Sequence, residues 1–130
     1  MMKSWKERLL ALMLAALMPL LCACHENPSQ EELYSKLFAH FENYCYECRL
    51  QPVEEGTAVP IYKASAWQKM LLNEEELLVY FDDSNRADYL SETIDEAIYG
   101  RVTCFGLRFI LVYPGSDAGV LKALDAIVNE

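Results

Sequence analysis

Positive charge is scarce in this sequence: 11 lysines and arginines stand against 20 aspartates and glutamates, a formal net charge of -9. Phosphate backbones repel so acidic a surface, and no basic stripe with interleaved aromatics offsets it, so no nucleic-acid partner is expected. Histidine is scarcer still, with 2 residues, His25 and His40. Neither lies beside a Ser, Asp or Cys signature, so no hydrolytic or transferase constellation forms and no catalytic residue is assigned. Cofactor loops are missing too. Residues 115–119 do not make a phosphate loop, and Asp83-Ser84-Asn85 opens like a calcium loop without the glycine and closing glutamate that one needs. Cys45, Cys48, Cys104 and His40 lack a second paired-ligand motif, so no metal is expected. Five glycines and five prolines leave no low-complexity tract, and no internal repeat is present.

Long apolar runs are absent except near the start. Lys3, Lys6 and Arg8 precede residues 9–23, which carry no charge and one helix breaker, Pro19. Fifteen helical residues rise roughly 22 Å, short of the roughly 30 Å hydrocarbon core of a bilayer. The segment therefore reads as a signal peptide rather than an anchor helix. It ends on Leu21-Cys22-Ala23-Cys24, which resembles the lipobox of bacterial prolipoproteins: an apolar residue, a tolerant position, a small residue and an obligatory cysteine. The resemblance implies that residues 1–23 are cleaved and that the Cys24 thiol receives a diacylglyceryl group. It also implies that the new amino terminus can take a further acyl chain of the palmitate kind. A cut before Cys22 is the alternative. Two acyl chains suffice for lasting attachment at roughly 0.8 kcal/mol per buried methylene, so the expected location is the extracytoplasmic face of a cell membrane, held by lipid on Cys24.

Residues 1–23 hold three of the 11 basic and one of the 20 acidic side chains, which leaves 8 against 19 and a net charge of about -11. The folded part is expected to stand off anionic lipid rather than lie on it. Residues 24–28 read as a short tether and 29–130 as one domain, large enough to bury its own core.

Ser29-Gln30-Glu31-Glu32 has capping-box spacing, and apolar residues at three- and four-residue steps predict a helix over 30–45. Residues 49–60 lose periodicity around Pro52, Gly56 and Pro60 and read as loop, with an edge strand near 59–63. Trp67, Met70 and Leu71 suggest a short helix over 64–72, and 76–82 alternates as a strand. Asp82-Asp83-Ser84 offers capping oxygens to a helix over 85–99, whose last turn unwinds after Glu92 if the weak formers Thr93 and Asp95 prevail. Residues 101–113 read as one central strand covered on both faces, and Pro114-Gly115-Ser116-Asp117 as a turn into a final helix holding Val120, Leu121, Leu124, Ile127 and Val128. The expected class is α/β or α+β: a sheet of about three strands packed by three or four helices. Strand, helix and strand over 77–113 have the order of a parallel crossover.

Three unlipidated cysteines and one arginine are the candidate site residues. Cys45-Tyr46-Glu47-Cys48 has C-x-x-C spacing, but it lies at the far end of a helix, where the dipole disfavours a thiolate. A thiol-disulfide redox protein using Cys45 and Cys48 is therefore the alternative reading, behind a structural one. A Cys48–Cys104 cross-link, closing about 56 residues, would stabilise by roughly 4 kcal/mol in the chain-entropy model. Arg108, a permanent charge in an apolar strand face, demands a carboxylate such as Asp82 or Asp83, or an anionic ligand. Tyr44, Tyr46, Tyr62, Tyr80, Tyr89, Tyr99 and Tyr113 are candidates for an interaction patch, although most tyrosines at such spacing are core edge. The function these features favour is a non-enzymatic binding domain at the cell envelope, for a protein or envelope partner.

Overall fold

The computed structural model describes residues 28–127. Residues 1–23, read from the sequence as a signal peptide, Cys24 and Val128 lie outside the described residues. The chain divides into two compact units, Met1–Leu33 and Tyr34–Glu130. In the first, the Ser29 hydroxyl accepts from the Glu32 amide (3.2 Å) and the Ser29 carbonyl from Leu33 (3.1 Å). Helix α1, Gln30–Glu42, starts on that cap, with Glu31 and Glu32 at its positive dipole end. It stops three residues before 45. Cys45 takes a left-handed φ of 67°, while the Tyr46 and Cys45 amides return to the Phe41 and Glu42 carbonyls, a Schellman closure without glycine.

The second unit is built on a five-stranded sheet: β1 Cys48–Pro52, β2 Trp67–Leu72, β3 Glu75–Phe81, β4 Arg101–Phe105 and β5 Phe109–Tyr113. Their spatial order is β1-β2-β3-β5-β4 and every neighbouring pair is antiparallel. The class is thus α+β. Strands β3 and β4 run parallel and are joined through helical residues 87–99, the order a parallel crossover requires, but they are not neighbours: β5 lies between them, antiparallel to both.

A β4–β5 hairpin replaces the single strand over 101–113. Gly106 at φ 63° opens a three-residue connection, and Phe105 pairs with Phe109. Because the loop is odd in length, the side-chain parity survives it: Thr103, Phe105, Phe109, Leu111 and Tyr113 share one face, and Val102, Cys104, Ile110 and Val112 the other. On the first face Tyr34 of α1 packs against Phe109 and Phe81, with ring centroids 4.8 and 6.2 Å apart. Helix α4, Ala118–Asp125, lies on the same side: His40 Nε2 donates to the Ala123 carbonyl (2.7 Å) and Arg101 pairs with Asp125. On the second face Trp67, Ile110 and Val112 are buried with Ala87 and Ile94.

The helix expected over 64–72 is a strand, preceded by one 3-10 turn, Ala64–Ala66. Trp67, Met70 and Leu71 mimic helical spacing because both faces of β2 are covered; register places Met70 opposite Leu77 and Trp67 opposite Tyr80. Strand β1 occupies part of the expected loop. Its entry is pinned by Asn73 in the β2–β3 turn: the Glu47 amide donates to Asn73 Oδ1 (2.9 Å) and the Asn73 amide to the Glu47 carbonyl (3.1 Å).

The helix over 85–99 is two short ones, α2 Ala87–Ser91 and α3 Glu96–Tyr99. Asp95 breaks it by capping α3, its Oδ1 accepting from Ala97 (2.9 Å), and Gly100 at φ 102° ends it. Among the described residues no helix is long and apolar enough to cross a membrane.

Candidate functional site

Residues 53–66 cross the second face of the sheet between β1 and β2. Val53, Val59 and Ile61 are half-buried against the Trp67 cluster, and the Trp67 indole donates to the Ile61 carbonyl (2.7 Å). This apolar anchoring fixes a loop that is otherwise only a turn at Glu54–Thr57 (3.1 Å) and a second at Lys63–Ala66 (2.9 Å). Between the turns sits Tyr62, at φ 61° and 60% exposed. A bulky residue in the left-handed region costs on the order of 1–2 kcal/mol, so the surrounding contacts hold it there.

The principal contact is Tyr80, whose ring stacks on Tyr62 at 5.5 Å and 30° and leans in turn on buried Trp67 at 5.4 Å. One face of the Tyr62 ring is therefore seated and the other turned to solvent. Burial, then Tyr62 and the Asp82 and Asp83 carboxylates, push the Tyr80 phenol up, so it stays a neutral donor. Two adjoining hollows meet at this ring. One, of about 550 Å3, is lined by Glu55, Thr57, Tyr62, Lys63 and Ser65 with Val53 beneath. The other, of about 440 Å3, runs along the Tyr62 and Tyr80 edges with Lys63 and Ser65. Together they offer one carboxylate, one ammonium, the aliphatic hydroxyls of Thr57 and Ser65, the phenols of Tyr62 and Tyr80 and an open aromatic face, the chemistry of binding and orientation.

The cysteines and Arg108 lie elsewhere. Cys45, Cys48 and Cys104 are free thiols. Cys45 is exposed in the turn after α1; Cys48 opens β1 with its Sγ 3.8 Å from the Phe38 carbonyl. Burial, with a smaller push from Glu42, raises the Cys48 thiol to about 11. Cys104 donates to the Ala87 carbonyl (3.6 Å) and is also raised by burial. The Cys48–Cys104 cross-link is excluded by topology. Those strands are the two edges of the sheet, four spacings or roughly 19 Å apart, against a Cα limit of about 7 Å for a disulfide.

Arg108 is not in a strand. It sits in the β4–β5 turn, and its Nε donates to Asn85 Oδ1 (2.8 Å), an amide where a carboxylate was expected. Asp82, 2% exposed, is satisfied by backbone instead: its Oδ2 accepts from the Arg86 amide (2.5 Å), while its own amide donates to the Arg108 carbonyl (2.6 Å). Among the described residues no three His, Cys, Asp or Glu side chains gather as a metal-holding group.

A second polar cluster is structural. Tyr113 donates to Glu75 Oε2 (3.0 Å) and accepts from the Asp117 amide (3.0 Å); Asp117 Oδ2 accepts from Tyr46 (3.0 Å) and from Val120, capping α4. Burial and the Asp117 carboxylate push the Tyr46 phenol up to about 12. A Cβ on Gly119 would fall 2.4 Å from the Tyr46 oxygen, so glycine is what lets that bond form.

Of the site now described, Tyr62 and Tyr80 were two of seven tyrosines that the sequence offered for an interaction patch and did not single out, while Glu55, Thr57, Lys63 and Ser65 were not site candidates. They converge only because the loop is nailed to Trp67. Comparison of the chain with protein-family models, with curated proteins and with solved structures returns no match.

Proposed function

We propose that this chain is a bacterial envelope lipoprotein, anchored by lipid on Cys24, whose sheet domain is a non-enzymatic binding module taking its ligand at the Tyr62 hollows. The anchor rests on Leu21-Cys22-Ala23-Cys24 behind a basic start and a short apolar run. Binding rests on one observation above all: Tyr62 is held in a costly backbone conformation and stacks on Tyr80, yet the residue is 60% exposed. A residue serving only the core gains nothing from that arrangement. The redox alternative is disfavoured by the place of the pair, just past the C-terminal end of α1 where the helix dipole opposes a thiolate, with burial raising the Cys48 thiol as well.

The test is capture of envelope components from intact membranes by the full-length lipidated protein and its Tyr62→Ala variant, alongside fatty-acid labelling of the wild type and Cys24→Ala. Loss of capture with Tyr62→Ala and loss of label with Cys24→Ala are the expected results. Capture independent of Tyr62, or equal label in both proteins, contradicts the reading.

A further inference from the structure

From the chemistry around Tyr62 we infer that the ligand is a hexopyranose oligosaccharide of the gluco type, a neutral glycan of the envelope. This deepens the binding reading above and rests on it. A pyranose ring with equatorial hydroxyls is amphipathic: its axial C–H groups make an apolar face, and its hydroxyls point outward around the rim. Such a ring needs a flat aromatic face with short polar side chains at its edge. Tyr62 supplies the face, since Tyr80 seats one side of it and 60% of the residue is exposed. Thr57 and Ser65 supply hydroxyls that both donate and accept, and Glu55 and Lys63 an acceptor and a donor.

These polar groups suit a hydroxyl-rich ligand better than the two rivals. A proline-rich peptide wants parallel exposed rings with open slots between them. Here the slot between Tyr62 and Tyr80 is closed by stacking at 5.5 Å, and Trp67 is buried. An anionic ligand wants several cations, whereas Lys63 lines these hollows together with the Glu55 carboxylate. The two hollows, which share Tyr62, Lys63 and Ser65, leave room for rings on either side of the stacked one, so a chain of sugars is preferred over a monosaccharide.

Preorganisation sharpens the argument. The strained backbone at Tyr62 and the Trp67 anchor to Ile61 hold the ring before any ligand arrives, which spares the ordering cost that weakens most shallow sites.

The experiment uses the full-length lipidated protein in detergent micelles, titrated with cellotetraose, maltotetraose and the tetrasaccharide of N-acetylglucosamine. A decaproline peptide and inorganic phosphate are the comparison probes, and binding is read by calorimetry and by ligand-observed NMR. At least one tetrasaccharide should bind with its ring protons saturated. Affinity should fall tenfold or more in Tyr62→Ala, survive in Tyr62→Phe, and change little between low and physiological salt. Circular dichroism matching the wild type shows that Tyr62→Ala is folded; if it is not, Thr57→Val with Ser65→Ala takes its place and should weaken binding several-fold. Absence of binding of all three tetrasaccharides by folded wild type overturns the inference. Tyr62-dependent binding of decaproline or phosphate alone also overturns it while leaving a binding module at this site. Loss of both glycan binding and Tyr62-dependent membrane capture removes the binding reading itself.

Discussion

Replacing Asp82 by alanine should cost about 2 kcal/mol, while replacing Arg108 by methionine should cost well under 1, the reverse of what a buried Arg–Asp pair requires. Asp82 is 2% exposed, and its carboxylate receives the Arg86 amide at 2.5 Å in the segment that turns from β3 into α2. A hydrogen bond to a charged group contributes about 1.5–3 kcal/mol, and the Arg86 amide is left without its acceptor once the carboxylate is gone. Arg108 by contrast offers one bond to a neutral amide on an exposed turn, where such bonds contribute about 0.5–1 kcal/mol and water replaces much of the loss. Thermal unfolding of a soluble chain beginning after Cys24 reads both changes. At about 4–8 °C per kcal/mol for a domain near this size, Asp82→Ala should lower Tm by roughly 8–16 °C and Arg108→Met by a few degrees. The two should add within about 0.5 kcal/mol in the double variant, because the guanidinium and the carboxylate have separate partners. A loss of about 3–5 kcal/mol in Arg108→Met, with strong non-additivity, would refute this wiring and restore the buried ion pair.

Three further outcomes follow from the same structure. Thr103 carries a buried hydroxyl with no partner among the described residues, so Thr103→Val should stabilise by about 1 kcal/mol in urea unfolding; destabilisation would mean the hydroxyl is satisfied. The Tyr46 phenol, ordinarily near 10 and raised to about 12, supports the fold fully below about 10 and progressively less as pH climbs to 12. Tyr46→Phe should therefore be less stable than wild type at neutral pH, with the gap closing between those values in pH-resolved unfolding; a gap constant to pH 12 contradicts the bond to Asp117. Cys48 should alkylate in the folded protein with a midpoint near 11 rather than the ordinary 9, and a midpoint near 6 with turnover of a disulfide substrate would reinstate the redox reading.

How much of this was legible depends on what each residue packs against. The Ser29 to Glu32 cap and the Asp117 cap were readable because capping is a local bond, made by residues three apart in sequence. The strand character of 101–105 and 109–113 was readable through a misjudged hairpin, since the three-residue turn Gly106-Leu107-Arg108 keeps odd positions on one side as a single strand would. Strand β2 was misread because burial on both faces erases the alternation that marks a half-exposed strand, and Trp67, Met70 and Leu71 then fit a helix as well. Leu107 and Arg108 left the strand for the same reason the hairpin was missed: one glycine at positive φ carried the entire signal. The Tyr62 hollows were the least readable part. Their polar lining is brought together by contacts of Val53, Val59 and Ile61 with Trp67, Ile110 and Val112, which lie on distant strands.

Photocrosslinking in intact cells tests the central claim most directly. A benzophenone amino acid is placed at Tyr62 in one strain and, as control, at Tyr89, which is 65% exposed on α2. The expected result is a membrane-fraction adduct from position 62, none from position 89, and loss of fatty-acid label from the protein in Cys24→Ala, whose precursor is left uncut or released. Equal adducts at both positions, or equal label in Cys24→Ala and wild type, would contradict a lipid-anchored module binding through Tyr62.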